Sequence, residues 1–117
     1  MLNHRLVSAG GTTNATLVNG GYTKLHYIDL VCAAAAAKFL KIYDKASAPT
    51  VGTDTPVATY QLVPTGVNGG KNQINFDANP LHLKLGLAYA LTGALADNDT
   101  TALTAADVVA MNVVYSR

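Results

Sequence analysis

Three histidines and one cysteine are the residues of this chain that first suggest catalysis or metal binding. His4, His26 and His82 have no ligand partner at a recognisable spacing, such as the i, i+4 pair that binds zinc on a helix. Cys32 and His26 could act as nucleophile and base, but the sequence offers neither a third orienting group nor an oxyanion-hole motif. We therefore predict surface or packing roles for the histidines, burial for Cys32, and no catalytic, metal or cofactor site.

The segment Asp97-Asn98-Asp99-Thr100 is the best candidate for ion binding, because its alternating oxygen ligands resemble the opening of a calcium loop. Such a loop requires glycine at its sixth position and glutamate at its twelfth, where this chain has Ala102 and Val108. The same residue types favour an Asx-type turn between strands. We predict the turn, here and at Thr53-Asp54-Thr55.

Composition and charge argue against several classes of partner. The net charge is +1 and the eight Lys and Arg residues are scattered, whereas nucleic-acid binding normally leaves a basic patch. No apolar stretch approaches the roughly 20 residues of a membrane span, and residues 1–11 lack the apolar core of a signal peptide. We expect no nucleic acid, no membrane, and synthesis in a reducing cytoplasm, with which the single cysteine is compatible.

Short strand patterns separated by Gly, Pro, Asn and Asp predict the elements that position these residues. The clearest is residues 81–91, where every second residue is Leu or Tyr and Gly86 marks a bulge or a break between two strands. The pattern predicts an antiparallel sandwich or small barrel. Residues 14–117 form this one domain, and residues 1–13, which are poor in bulky apolar side chains, form a flexible N-terminal arm. The segments with a strand pattern are residues 15–18, 22–31, 38–43, 57–63, 73–76, 81–91 and 108–115.

The alanine run after Cys32 admits two structures. Alanine is the best helix former, so local propensity favours a helix over residues 32–43. However, no N-cap residue immediately precedes the run. Residues 38–43 also fit a strand, with Leu40 and Ile42 on one face and Phe39 and Tyr43 on the other. The residues alone leave both structures open.

Several blocks of the sequence, in this order, resemble a family of small β-sandwich virion proteins encoded by tailed bacteriophages and prophages. The resemblance covers nearly the whole chain from Asn14 onward, and residues 48–57 and 86–101 are its more specific parts. In that family the segment matching the alanine run joins two strands, which implies strand, short loop, strand. Here alanines replace the usual polar residues, so a helical turn within the connection remains an alternative. The blocks are residues 14–18, 25–28, 38–57, 86–93, 96–101 and 108–115.

The resemblance implies a non-enzymatic structural protein of the virion. The expected fold is all-β, an antiparallel β-sandwich of about seven to eight short strands, with the jelly roll among its candidate topologies. The expected function is that of a capsid decoration (cement) protein, a homotrimer on the capsid surface whose partner is the major capsid protein of the same phage. A tail, baseplate or fibre accessory protein is the alternative. A carbohydrate-binding module is a third hypothesis, against which the lack of Trp counts.

Only 13% of the residues are charged, so a second apolar face is predicted to pack against neighbouring subunits, where Tyr is enriched. The alternative is that these aromatic side chains fill the sandwich. The arm is also predicted to contribute residues to this interface, because it has few bulky side chains to bury against its own domain. The predicted interface residues are Leu2, His4, Leu6, Tyr22, Tyr27, Phe39, Tyr43 and Tyr60.

Overall fold

The computed structural model describes residues 1–76 and 78–117, and the described residues contain nine β-strands and no helix. Accordingly, this part of the chain has no helix long and apolar enough to cross a membrane. The strands are β1 (Leu2–Val7), β2 (Thr16–Gly20), β3 (Thr23–Cys32), β4 (Lys38–Asp44), β5 (Ala58–Leu62), β6 (Asn72–Asn75), β7 (Leu81–Leu83), β8 (Gly86–Thr92) and β9 (Val108–Ser116).

The strands form two antiparallel sheets. Sheet 1 has the order β1-β9-β3-β6, with β7 also paired to β3, and sheet 2 has the order β2-β8-β4-β5. The pairs are nested: β1 with β9, β2 with β8, β3 with β6 and β7, and β4 with β5. A long antiparallel ribbon rolled up in this way is a jelly roll. The predicted all-β antiparallel sandwich is thus confirmed, and the described residues contain nine strands where about seven to eight were predicted.

The core lies between the inner faces of the two sheets. Alternate residues of each strand point inward, as the period of two requires. Cys32 belongs to this core and is fully buried, which confirms its predicted position. The other central residues are Leu25, Ile28, Leu30, Met111 and Val113 from sheet 1, and Leu40, Ile42, Leu87, Tyr89 and Leu91 from sheet 2.

The alanine run is a connection between strands and not a helix. β3 ends at Cys32, β4 begins at Lys38, and residues 33–37 link the two sheets. Both flanking strands are central in their sheets, so each has a hydrogen-bonded neighbour on both sides. Cross-strand pairing and burial outweigh a helix propensity that differs by only about 1 kcal/mol per residue. The strand–loop–strand arrangement implied by the resemblance is therefore confirmed.

The alternating segment 81–91 divides into two strands in different sheets. β7 pairs with β3 in sheet 1, β8 lies in sheet 2, and the chain crosses between the sheets just before Gly86. A Cβ atom on Gly86 would lie 2.5 Å from the carbonyl oxygen of Lys45 and 2.8 Å from that of Asn19. Of the two predicted alternatives, the break between strands is therefore correct, and glycine is required because two backbones approach it closely.

A carboxylate holds this crossing in place. Asp44 accepts hydrogen bonds from the backbone N–H groups of Lys84 (3.1 Å), Leu85 (2.7 Å) and Gly86 (3.3 Å). These are charge-assisted bonds, which are stronger than bonds between neutral groups. The side chain of Leu85 is 60% exposed, although it shares the alternating pattern with the buried Leu83 and Leu87.

The structure corrects the predicted boundary between an arm and the domain. Residues 2–7 form β1, which pairs with β9 at six consecutive positions. Ala9 is buried, its N–H donates to the carbonyl of Val108 (2.8 Å), and its carbonyl accepts from Ala106 (2.8 Å). The carbonyls of Thr12 and Thr13 are bonded as well. Backbone hydrogen bonds hold this segment in place. Such bonds produce no pattern of apolar side chains, so they could not be predicted from the sequence.

Candidate interaction surface

The central part of the outer face of sheet 2 is covered by two loops, residues 45–57 and 93–107, which together we call the loop cap. The loops meet where a Cβ on Gly52 would lie 2.6 Å from Cγ2 of Thr100. Beneath the loop cap, Tyr43 packs with the small residues Ala88 and Ala90 in a second apolar cluster. The part of this face that lies under the loop cap is therefore an interior surface of the protein.

Lys41 lies under the loop cap with no exposed surface. Its ammonium group donates to the backbone carbonyls of Ala96 (2.6 Å) and Asp99 (3.4 Å). Because carbonyl oxygens of this kind also serve as ligands for cations, the lysine supplies the positive charge around which this loop is built.

The carboxylate of Asp99 shapes the same loop. It accepts hydrogen bonds from the hydroxyl of Thr101 (2.7 Å), from the N–H of Thr101 (3.1 Å) and from the N–H of Ala94 (3.2 Å). The hydroxyl bond is the largest cause that holds the pKa of Asp99 below its ordinary value. The bond to an N–H two residues along is the predicted Asx-type turn.

The other loop of the cap has a similar carboxylate. Asp54 pairs with the ammonium of Lys45 and accepts from the N–H of Thr50 (2.7 Å), and both interactions lower its pKa. The buried hydroxyl of Tyr43 has no hydrogen-bond partner among the described residues. Its pKa is raised, first by burial and then by the charges of Asp54 and Asp97. Tyr43 is thus enclosed by its own chain, and its predicted interface role is wrong.

The outer face of sheet 1 is accessible, and we call it the open face. It consists of the outward-pointing residues of β1, β9, β3 and β6, which are either exposed or half-buried. They are Asn3, Arg5, Val7, Ala110, Asn112, Val114, Ser116, Lys24, Tyr27, Asp29, Val31, Gln73 and Asn75.

A polar network crosses the open face from edge to edge. Asn3 donates through its side-chain amide to Asn112 (3.2 Å), and Asn112 donates to the carboxylate of Asp29 (3.3 Å). The other oxygen of Asp29 pairs with the ammonium of Lys71 (3.2 Å). Lys71 thereby neutralises the charge of Asp29. The further charge of Arg5 gives the open face an excess of positive charge.

Apolar side chains lie between these polar groups. In the strand register Val114 stands between Asn3 and Tyr27, and Ala110 stands between Val7 and Val31. An accessible sheet surface on which rows containing Val and Tyr flank a polar row has the mixed composition of a protein–protein interface.

The structure does not bring the eight predicted interface residues together. Tyr27 lies on the open face, and Leu2 and Tyr22 lie at one end of the sandwich. Three residues point into the space between the sheets: His4 toward Tyr89 (3.3 Å), Leu6 into the core, and Tyr60 against Phe76. The remaining two, Phe39 and Tyr43, belong to the outer side of β4, where Tyr43 is covered.

Arg5, Val31 and Val114 were missed, although the sequence contains a signal for them. In β9 the buried Met111, Val113 and Tyr115 alternate with half-buried residues, so the outward set was predictable once the inward set was known. What the sequence does not show is that this outward set, and not that of β4, stays uncovered.

The three histidines have the predicted surface or packing roles. His26 and Ser116 are joined by a hydrogen bond on the outer side of sheet 1 (2.8 Å). The ring of His82 meets that of Tyr22 edge to face, and the Tyr22 hydroxyl bonds to Nδ1 of His82. His4 is the histidine that lies between the sheets, and burial holds its pKa below the ordinary 6.5.

The buried position of His4 predicts how stability depends on pH. Because the pKa of His4 is lowered by folding, the unfolded chain takes up a proton before the folded protein does. The free energy of unfolding is therefore expected to fall as the pH drops below about 6.5. Urea denaturation at pH 7 and pH 5 measures this loss, which should shrink in His4→Gln.

The same substitution at an exposed histidine is the control. His82→Gln should keep the wild-type difference between pH 7 and pH 5. The carboxylates of Asp54 and Asp99, whose pKa values are lowered from 3.8, contribute to the loss only at still lower pH. An equal loss in His4→Gln and in the wild type would assign the effect to other groups.

Neither a protein-family model, nor a curated protein sequence, nor a solved structure matched the chain. Residues 1–76 and 78–117 contain no group of three or more His, Cys, Asp or Glu side chains that could hold a metal ion.

Proposed function

We propose that this protein is a capsid decoration protein of a tailed bacteriophage. It binds the outside of the head as a homotrimer, contacts the major capsid protein and stabilises adjacent capsid subunits. The protein acts as a structural component of the virion and not as an enzyme.

The observation that carries the proposal is the difference between the two outer faces. The outer face of sheet 2 is covered at its centre by the loop cap, beneath which Tyr43, Ala88 and Ala90 form a small apolar cluster. The other is an accessible sheet surface, which suits a large protein partner better than a small ligand. The jelly-roll topology supports this, because viral capsid domains are among the proteins built in this way, although fold alone does not determine function.

The charges of the open face indicate the chemistry of the partner. Among the described residues, Arg5, Lys24 and Lys71 are on or beside this face, together with one carboxylate, that of Asp29. An acidic patch on the capsid protein would complement this excess and would disfavour wrong partners. Contacts of this kind are weak singly, but a symmetric oligomer that makes several of them at once gains avidity through effective concentration.

Reversing one charge on the open face tests the proposal. Arg5 is exposed, so Arg5→Glu is expected to leave the fold intact and to weaken binding to heads that lack the protein by about tenfold, a loss of about 1.4 kcal/mol. Co-sedimentation with such heads at two salt concentrations measures the affinity, and the heat resistance of the heads reports stabilisation.

Lys84→Glu is the matched control, because it changes the net charge equally at an exposed position outside the open face. It should bind heads like the wild type. Equal weakening by both variants would show that net charge, and not the open face, governs binding. If the protein does not bind heads but co-purifies with tails, it is an accessory protein of the tail, baseplate or fibre.

A further inference from the structure

Among the strands of six or more residues, β1 is the one most weakly attached to the rest of the sandwich. Among the described strands it pairs with β9 alone. Only His4 and Leu6 of its six residues are even half-buried, while the other four are exposed. Its attachment therefore consists mainly of backbone hydrogen bonds, which the β9 of any other copy offers equally.

The chain changes abruptly where β1 ends. Ala9 is anchored in the core by burial and by two backbone hydrogen bonds. Ser8, the residue between this anchor and β1, has a φ of 57°. This left-handed conformation is unfavourable for a residue other than glycine. Ser8 is thus a strained joint; straightening the chain there removes the strain and gives up the hydrogen bond that the Ser8 N–H donates to the carbonyl of Val109 (2.8 Å).

β1 is also the edge strand with the least protection against pairing with another chain. Natural edges are blunted by bulges, by proline or by shortness. β2 has a register shift between Leu17 and Asn19, Pro56 and Pro64 flank β5, and β6 and β7 have four and three residues. β1 has six residues in unbroken register with β9.

We propose that β1 is an exchangeable strand, which in the homo-oligomer leaves its own β9 and pairs in the same register with the β9 of a second copy. This inference rests on the proposed homo-oligomer and states how its copies are joined to one another. The exchanged contacts equal the ones given up, and straightening of Ser8 and the new contacts between the bodies favour the exchange. Three copies that each donate β1 to the next close a ring.

A pair of cysteines distinguishes the two arrangements. Asn3 and Val114 stand directly opposite each other on the open face, where Cβ atoms are close enough for a disulfide. The full chain with Asn3→Cys and Val114→Cys is oxidised in dilute solution and run on a denaturing, non-reducing gel. The native Cys32 is buried and does not interfere.

Exchange predicts a covalent trimer. A covalent dimer or a longer ladder supports exchange and overturns the three-fold ring, whereas a monomer band alone overturns the exchange. Phe39→Cys with Gln61→Cys, an opposed pair on the outer side of sheet 2, is the control and should give only an internally linked monomer. A monomer band from the first pair, together with normal binding to heads, would remove the exchange and leave the proposed function standing.

Ser8→Gly supplies an independent measurement. Glycine removes the strain at the joint without removing a side-chain contact of β1, so it should favour the unexchanged form. The cost of one left-handed residue corresponds to about a fivefold smaller ratio of cross-linked oligomer to monomer. An unchanged ratio would show that the joint does not drive the exchange and would overturn that part of the argument.

Discussion

Gly86→Ala is expected to lower the free energy of unfolding by about 3 kcal/mol, the upper part of the usual range for an overpacked site. The added methyl group would lie 2.5 Å from the carbonyl oxygen of Lys45 and 2.8 Å from that of Asn19. Both obstacles are backbone atoms, so neither can move without disturbing the pairing of β8 with β2 and β4.

Gly20→Ala is the matched control for this prediction. Gly20 stands directly opposite Gly86 in the pairing of β2 with β8, and a Cβ there would meet its nearest neighbour, the carbonyl oxygen of Ala46, at an ordinary 3.9 Å. We expect a change of less than about 1 kcal/mol, because the substitution creates no close contact. Urea denaturation of both variants measures the difference. Equal losses would mean that contact with the neighbouring backbone is not the cause.

Lys41→Met is expected to cost about 2 kcal/mol, the size of a hydrogen bond to a charged group. Methionine fills a similar volume, but it cannot donate to the carbonyls of Ala96 and Asp99. The loss should be local, because the hydrogen bonds of the ammonium group tie the loop at residues 93–107 to sheet 2. Amide hydrogen exchange is therefore expected to become faster in the loop cap and to stay slow in β3 and β9.

Tyr43→Phe tests whether this effect is specific to the lysine. Tyr43 lies under the same loop cap, and its hydroxyl is buried without a partner among the described residues. Removing a hydroxyl of this kind should leave stability unchanged or raise it by about 1 kcal/mol. If Lys41→Met behaved in the same way, with slow exchange in the loops, the ammonium group would not be what organises the loop cap.

Residues 38–43 show why some of the fold was predictable and some was not. Their two faces, with Leu40 and Ile42 apart from Tyr43, were visible in the spacing and are found as predicted. Whether the segment is a helix or a strand was open, because local propensity and strand pattern compete at similar energies. Pairing with β8 and β5 decides it, and those partners lie far away in the sequence.

The candidate site was less predictable than the fold. Tyr27, Phe39, Tyr43 and Tyr60 all occur in strand patterns, and each has a different environment in the structure. Whether each of these side chains is exposed depends on what covers its strand. The loops at residues 45–57 and 93–107 provide that cover. Irregular loops carry no periodic signal, so the sequence does not say which sheet they cover.

The amino-acid sequence by itself determined a fold of short antiparallel strands, a sandwich or a small barrel, because a period of two and glycine-rich turns are properties of neighbouring residues. Only the tertiary structure decided the nested jelly-roll pairing, the incorporation of residues 2–7 as β1 and the contrast between the capped and the open face. Each of these depends on backbone hydrogen bonds or on loop packing between residues far apart in the chain, which side-chain patterns along a single segment do not encode.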